Sequence, residues 1–214
     1  MQPIIIICFL CILFTGCNND YEKYLQKAEV LLKEGKPKKA IRYLQKYIEN
    51  DSSKPYKNPK VRLQLAKLYL EHDPKNNTSI KLLEEAGEHD VYEAYALLSL
   101  LYSKGEVVVS DPFKAFNYIQ NASSSGDHNH IFTLGKYLFN GYGVLSNTGL
   151  AREYFLEAAE NGNIEASNYL CEIYVLEKHN MQSSELASKH CQIAVNHKLP
   201  RAIHATNLYQ ITSD

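Results

Sequence analysis

The sequence predicts an all-α protein, a right-handed α-solenoid of about five antiparallel helix pairs followed by a C-terminal capping helix. Three blocks of 36 residues follow one another without a gap, over 94–129, 130–165 and 166–201. Positions that are 36 residues apart, which we call a column, carry similar residues, as in Leu98, Leu134 and Leu170. A period of this length is typical of stacked helix pairs, because one pair cannot bury its apolar face alone.

The composition agrees with stacked helices but hides a charge asymmetry. Only 7 Pro and 10 Gly interrupt 214 residues, and 16 Tyr without any Trp suit pairs in which small columns face aromatic ones. Residues 21–62 carry 12 Lys and Arg against 5 Asp and Glu, whereas residues 63–214 carry 11 against 18. The basic end is either a solvated lysine-rich repeat or a surface attracted to an anionic membrane or partner.

Near the amino terminus, 11 apolar residues run from Ile4 to Phe14. The run is too short for a transmembrane helix, which needs about 20 residues, and it fits the core of a signal peptide. It leads into Thr15, Gly16 and Cys17, which with the two residues before them resemble a bacterial lipoprotein box. The resemblance implies a signal peptide over 1–16, lipidation of Cys17 and a tether over 17–20. A plain secretory signal is the alternative.

Lipidation of Cys17 would place the rest of the chain outside the cytoplasm. Several acyl chains on one cysteine give stable anchoring where a single chain would be marginal. Asn18 follows the cysteine, whereas Asp at this place favours retention in the inner membrane in enterobacterial-type sorting. The resemblance therefore implies an outer-membrane lipoprotein that faces the periplasm.

The first helix pair and its linker are predicted over residues 21–58. Gly35 and Pro37 mark the break between its helices, because Gly commonly follows a helix end and Pro is tolerated at a helix start. The spacing of its apolar residues resembles the tetratricopeptide repeat; these residues are Tyr24, Ala28, Leu31, Ala40, Leu44 and Tyr47. The next pair, over 59–93, has a period of 33, and its deletion falls in the loop around Asp73 and Pro74, where loss is tolerated best.

The 36-residue blocks resemble a more specific family, the Sel-one-like repeat, a relative of the tetratricopeptide repeat with a longer glycine loop. The block over 130–165 carries the motif most fully, in Leu134, Gly135, Leu138, Gly141, Tyr142, Gly143, Val144, Ala151, Tyr154, Phe155, Ala158, Ala159 and Gly162. Its neighbours over 94–129 and 166–201 are degraded copies. A last helix over 202–212 is predicted to cap the stack.

Two cysteines stand where the preceding block has one small and one large residue. Cys171 stands in the column of Gly135, and Cys191 stands in the column of Phe155. Their near-symmetric placement about the intervening loop puts them opposite each other in an antiparallel hairpin. The pair is either a disulfide, which an oxidising compartment favours, or two buried thiols.

No motif for catalysis or cofactor binding is found. The sequence contains no phosphate loop, no nucleophile elbow and no metalloprotease helix. Histidines at 128 and 130, and at 190 and 197, are too scattered for a metal site. We therefore expect no enzyme activity, no cofactor and no small-molecule substrate. Export and the confinement of basic charge to the anchored end also disfavour nucleic acid.

A partner surface is predicted on the concave face, which the first helix of each pair lines in tetratricopeptide-type stacks. The residues turned away from the core columns include Leu63, Lys67, Leu100, Phe132, Lys136, Phe139, Asn168 and Glu172. Several are apolar, and Leu100, Phe132 and Phe139 are the expected binding hot spots. The alternative is that a tightly curved stack buries the two phenylalanines against neighbouring first helices.

These observations predict a lipid-anchored, non-catalytic periplasmic adaptor that holds one protein partner. The alternative function is an immunity lipoprotein that neutralises a toxic, lipase-like effector, a role that some Sel-one-like proteins play. A third possibility, a β-lactamase as once proposed for cysteine-rich relatives, finds no nucleophile paired with a base.

Overall fold

The computed structural model describes residues 21–51, 58–74, 76–177 and 181–211, and within them the protein is entirely α-helical. This confirms the predicted fold class. The helices in chain order are α1 (Glu22–Lys33), α2 (Pro37–Asn50), α3 (Pro59–His72), α4 (Thr78–Gly87), α5 (Tyr92–Lys104), α6 (Pro112–Ser123), α7 (His128–Asn140), α8 (Thr148–Glu160), α9 (Ile164–Leu176), α10 (Met181–Asn196) and α11 (Pro200–Ile211).

The chain forms two compact units, Met1–Ser79 and Ile80–Asp214. In the first unit, α1 and α2 form an antiparallel pair around Ala28, Leu31 and Leu44, which are all buried. Gly35 ends α1 with a left-handed φ of 67°, and the N–H of Lys36 then donates to the carbonyl of Leu31 at 2.8 Å. Such a bond closes the helix end and lets the chain reverse into α2.

The third helix packs on this pair through a mostly apolar face. Leu65, Ala66 and Tyr69 of α3 are buried. The side-chain amide of Gln45 in α2 donates to the hydroxyl of Tyr69 at 2.5 Å. Burial raises the pKa of the Tyr69 phenol above its ordinary value, because the charged form loses its water.

The second unit stacks the pairs α5 with α6, α7 with α8 and α9 with α10. Helix α6 also contacts α7, and α8 contacts α9, so consecutive pairs share one core. Leu134 and Leu170 lie in that core, and the equivalent Leu98 of α5 is buried as well; each has at most 2% of its surface exposed. The final helix, α11, packs on α9 and α10, as expected for a first helix that caps the stack.

Asp and Asn side chains start several of these helices in the second unit, a signal that the sequence analysis overlooked. Asp111 and Asn147, 36 residues apart, accept hydrogen bonds from the backbone N–H of the third residue of α6 and of α8, each at 3.0 Å. Asp127 and Asn163 cap α7 and α9 in the same way. Satisfying these otherwise unpaired N–H groups fixes where each helix begins.

Gly135 of α7 lies tightly against α8. A Cβ atom at this position would lie 2.9 Å from Cε1 of Phe155 and 3.3 Å from Cβ of Tyr154. Phe155 is fully buried, so its ring has little room to move. The small residue at this column is thus required by packing.

Replacement of Gly135 by Leu should destabilise the protein by about 1–3 kcal/mol, because overpacking outweighs the gain in helix propensity. Gly149→Leu is the matched control, since Gly149 of α8 is exposed and a Cβ there meets only the Asn147 side chain, at 3.6 Å. Urea unfolding followed by circular dichroism measures both. A midpoint for Gly135→Leu at or above that of the unmodified protein would contradict the packing of α7 on α8.

Candidate partner-binding face

The first helices of the second unit carry the residues from which a partner site was predicted. Equivalent positions form three columns, each with a residue from α5, α7 and α9. The columns are Ala96, Phe132 and Asn168; Leu100, Lys136 and Glu172; and Ser103, Phe139 and Val175. The structure shows that these columns have different surroundings.

The Phe132 side chain is partly buried against the next first helix. The Phe132 ring lies 5.7 Å from that of Tyr169 in α9 and 5.8 Å from that of Phe155, measured between centroids. Leu63 of α3, assigned to the same column, is only 6% exposed. The expectation that Leu63 and Phe132 offer free contact surface is therefore corrected: Leu63 is buried, and Phe132 packs on Tyr169 of the next first helix.

Phe139 is likewise only partly exposed. Its ring lies 5.5 Å from the ring of Tyr169 and 6.2 Å from that of Phe155. The guanidinium of Arg201 in α11 covers it, 5.7 Å from the ring centroid. Phe132 and Phe139 thus belong to the packed aromatic cluster of the stack, as the alternative interpretation of the sequence had it.

The last helix occupies the corresponding surface of α9. Asn168 is 3% exposed, and its side-chain oxygen accepts a hydrogen bond at 2.8 Å from the N–H of Ala202, in the first turn of α11. The carboxylate of Glu172 pairs with Arg201 at 2.5 Å. Asn168 of α9 therefore caps the start of α11. Its predicted place on a partner surface is corrected, because the side chain is buried.

The column of Leu100 is the most accessible of the three, although Glu172 within it is partly buried and paired with Arg201. Leu100 in the middle of α5 is 46% exposed, although the residues on either side of it, Ser99 and Leu101, are buried. Lys136 of α7 is partly exposed, and its ammonium lies 5.5 Å from the Phe132 ring centroid. We call Leu100, Lys136 and Glu172 the exposed column. Lys67, in the other compact unit, is also exposed.

Two further side chains at this surface were missed by the sequence analysis. Leu176, one helical turn beyond Glu172, is 68% exposed. The Arg201 guanidinium stacks 4.4 Å from the Tyr169 ring centroid while pairing with Glu172. Its hydrogen bond with Glu172 raises the pKa of Arg201, against the opposing effect of burial. Aromatic and arginine side chains of this kind are enriched in binding hot spots.

Cys171 and Cys191 are joined by a disulfide, with their Cα atoms 4.7 Å apart. This separation lies within the range of about 4.4–6.8 Å that the bond requires. The bridge joins α9 to α10 where Gly135 and Phe155 bring α7 and α8 together. A covalent bond therefore replaces an aromatic contact at the same column.

Beside the disulfide lies a buried polar pair, Ser167 and His190. The serine oxygen is 3.2 Å from Nδ1 of His190, and the imidazole stacks on Tyr174. Burial lowers the pKa of His190 below its ordinary value. No carboxylate hydrogen bonds to this imidazole among the described residues, and both side chains are buried, so the pair contributes to the interior of the stack.

The described ranges contain no group of three or more His, Cys, Asp or Glu residues that could hold a metal ion. They also contain no helix both long and apolar enough to cross a membrane. The predicted signal peptide and the lipidation site, Cys17, lie outside the described residues.

Stacked helix pairs with recurring columns define a helical-repeat protein, a class that presents extended surfaces to protein partners. The sequence model of the Sel1 repeat matches this chain over residues 33–52, 93–127 and 132–163. These three matches confirm the resemblance to Sel1 repeats that the sequence pattern predicted. One match falls on the first helix pair, which the sequence analysis had placed nearer to the tetratricopeptide repeat.

Relatives of known sequence share only part of the chain. Proteins of rat and mouse described as DAP3-binding cell death enhancer 1 are 32% and 31% identical to it over 105 residues. These residues make up 49% of this chain and 20% of each relative. The chain thus spans about a fifth of the length of these relatives.

Solved structures share the fold over more of the chain. A Sel1 repeat protein from Oxalobacter formigenes superposes with a TM-score of 0.61 at 22% identity, over 84% of this chain and 74% of that protein. A protective antigen of uropathogenic Escherichia coli with an SLR fold, c5321, superposes with a TM-score of 0.69 at 18% identity, over 90% of this chain and 44% of the antigen. At such identities the likeness shows the fold alone.

Proposed function

We propose that this protein is a non-catalytic scaffold of the bacterial envelope that binds one protein partner through the exposed column of its second unit. The observation that supports this most is Leu100. An apolar side chain that is 46% exposed in the middle of a helix gains free energy when a partner removes its remaining surface from water.

The surroundings of Leu100 suit a protein ligand. Lys136 and the ion pair of Glu172 with Arg201 follow it along the exposed column, and Leu176 adds a second exposed apolar side chain. A face that combines apolar contacts with charges of both signs provides affinity from burial and selectivity from charge.

The proposal includes an anchor at Cys17. The lipoprotein-like sequence ending at this cysteine supports it, as does the disulfide between Cys171 and Cys191, since such bonds persist outside the reducing cytoplasm. The outer membrane is the proposed location, with the repeats facing the periplasm.

Leu100→Asp combined with Lys136→Glu should weaken capture of the partner at least tenfold, which corresponds to about 1.4 kcal/mol. Leu145→Asp is the matched control, because Leu145 is 90% exposed in the loop between α7 and α8. Proteins retained by the mature chain are compared by mass spectrometry across the three forms. Retention that is equal for both variants would exclude the exposed column as the binding site.

The same series tests the placement of the aromatic residues. Phe132→Ala and Phe139→Ala should lower the unfolding midpoint, because each ring packs on Tyr169 and Phe155. Leu100→Asp should leave the midpoint nearly unchanged. An unchanged unfolding midpoint for both alanine variants would show that Phe132 and Phe139 contribute nothing to packing and are available as contact surface.

Anchoring is tested separately by labelled fatty acid. We expect incorporation into the unmodified chain and none into the Cys17→Ser variant. Equal incorporation into both would exclude Cys17 as the acylated residue.

A further inference from the structure

A basic pocket lies between α1 and α2 in the first unit. Its volume is about 440 Å³, and its lining residues are Lys27, Leu31, Glu34, Lys36, Lys39, Arg42, Tyr43 and Lys46. Leu31 is 6% exposed and forms an apolar floor with the Tyr43 ring. The cationic side chains surround this floor.

The pocket is lined by a larger share of the cationic side chains of the α1–α2 hairpin than of its acidic ones. Five of the eight cationic side chains of α1, α2 and their connection line it, but only one of their four acidic side chains does. That acid, Glu34, accepts a hydrogen bond from Lys36 at 2.8 Å. This bond, together with the charges of Lys36, Lys27 and Lys39, lowers the pKa of Glu34, as expected in a positive potential.

The remaining cations share the single carboxylate of Glu34 and form no direct ion pair with it. In the described part of the chain, no acidic side chain forms an ion pair with Lys27, Lys39 or Arg42. The ammonium of Lys46 lies 5.8 Å from the ring centroids of both Tyr24 and Tyr43. Like charges that share one counter-ion bind a further anion favourably, because the anion relieves their mutual repulsion.

The proposed anchor places this pocket near a membrane. Five peptide units separate Cys17 from Glu22, where α1 begins, and even a fully extended chain spans only about 3.4 Å per residue. The start of α1 therefore lies within about 17 Å of the acylated residue. Lys27 is less than two helical turns further along α1, and Glu34 lies just past its far end, about 18 Å from Glu22. An α1 that lies along the bilayer surface brings all of these residues to the lipid headgroups.

We infer that this pocket binds the phosphodiester headgroup of an anionic membrane lipid. The inference rests on the proposed function, because the anchor at Cys17 places the pocket near the membrane. The choice of an anionic ligand rests on the cationic side chains of α1 and α2 that line the pocket. The apolar floor accommodates the carbon skeleton of the headgroup, and the cationic rim holds its phosphate. The pocket would then orient the first unit against the bilayer, which a lipid tether alone cannot do.

The test uses residues 18–214 without any acyl chain, so that the pocket is measured apart from the anchor. Co-sedimentation with vesicles of phosphatidylglycerol and phosphatidylcholine is compared with pure phosphatidylcholine vesicles. We expect binding that requires phosphatidylglycerol and falls with added salt, because the attraction of basic side chains to anionic lipid is screened.

A pair of double variants locates the binding. Lys39→Glu with Arg42→Glu changes two exposed cations of the pocket and should reduce vesicle binding at least tenfold. Lys33→Glu with Lys38→Glu changes net charge equally at exposed positions of the same hairpin outside the pocket, and should reduce binding much less. Equal losses in the two double variants would overturn the pocket in favour of diffuse attraction.

Soluble glycerol phosphate separates the lipid from a free phosphate ester. Binding of this probe by calorimetry without any binding to phosphatidylglycerol vesicles would overturn the assignment to lipid. Absence of phosphatidylglycerol-dependent binding altogether would do so too. Either failure leaves the fatty-acid labelling of Cys17 unaffected, so an error in the pocket is distinguishable from an error in the anchor.

Discussion

Replacement of Arg62 by Met should cost about 3–5 kcal/mol, the largest effect that we expect from a single substitution in this chain. Arg62 of α3 and Asp51, which follows α2, approach to 3.8 Å between Nη1 and Oδ2, and their side chains are 2% and 0% exposed. Removing the cation takes away the positive charge that Arg62 places beside the buried Asp51 carboxylate. Tyr47 lies in the same interior, where burial raises its pKa to about 12.

Two further variants identify the cause. Arg42→Met removes an exposed arginine of the preceding helix and should change stability by less than about 0.5 kcal/mol. Arg62→Met with Asp51→Leu removes both charges and should recover much of the loss, because an apolar pair needs no counter-ion. Urea unfolding measures all three. A double variant no more stable than Arg62→Met would show that shape, and not charge, makes Arg62 necessary.

Loss of the disulfide should lower the free energy of unfolding by about 3 kcal/mol, because the bridge closes a loop of some twenty residues in the unfolded chain. Cys171→Ala with Cys191→Ala tests this in protein exported to the periplasm. Alanine is preferred to serine because both positions are buried, and a hydroxyl there would need a hydrogen-bond partner.

Reduction provides the control for this experiment. Dithiothreitol should destabilise the unmodified protein and leave the double alanine variant unchanged. Thiol counting under denaturing, non-reducing conditions should find no reactive thiol at positions 171 and 191. Two free thiols at these positions in exported protein would exclude the bridge.

The sequence predicted the core of the repeats well because periodicity reports burial directly. Leu134 and Phe155 occupy columns of large residues, and Gly135 occupies a column of small ones. In the structure, the small Gly135 lies against the large Phe155. The same logic brought Cys171 and Cys191 together. Each of these inferences depends on contacts within one helix pair, which a period of 3.6 residues per turn determines.

The partner face was harder to predict because the first helix of a pair has two surfaces that its partner helix does not cover. Phe132 and Lys136 lie one turn apart on α7, yet Phe132 packs on α9 whereas Lys136 faces solvent. The rotation from one pair to the next decides which side is covered, and no residue pattern within a block reveals that rotation. Arg62 was missed for another reason, because a lone arginine on an amphipathic helix is expected at the surface.

The glycine loop between α7 and α8 determines how freely repeats can be exchanged. Gly143 has a φ of 72°, and a Cβ atom there would overlap the backbone carbonyl of Pro112, at the start of α6 in the preceding block. The loop of one module is thus fitted to the backbone of its predecessor. Modules of this chain are therefore not interchangeable units, and a chimera that reorders them must transfer this glycine together with the helix start that it touches.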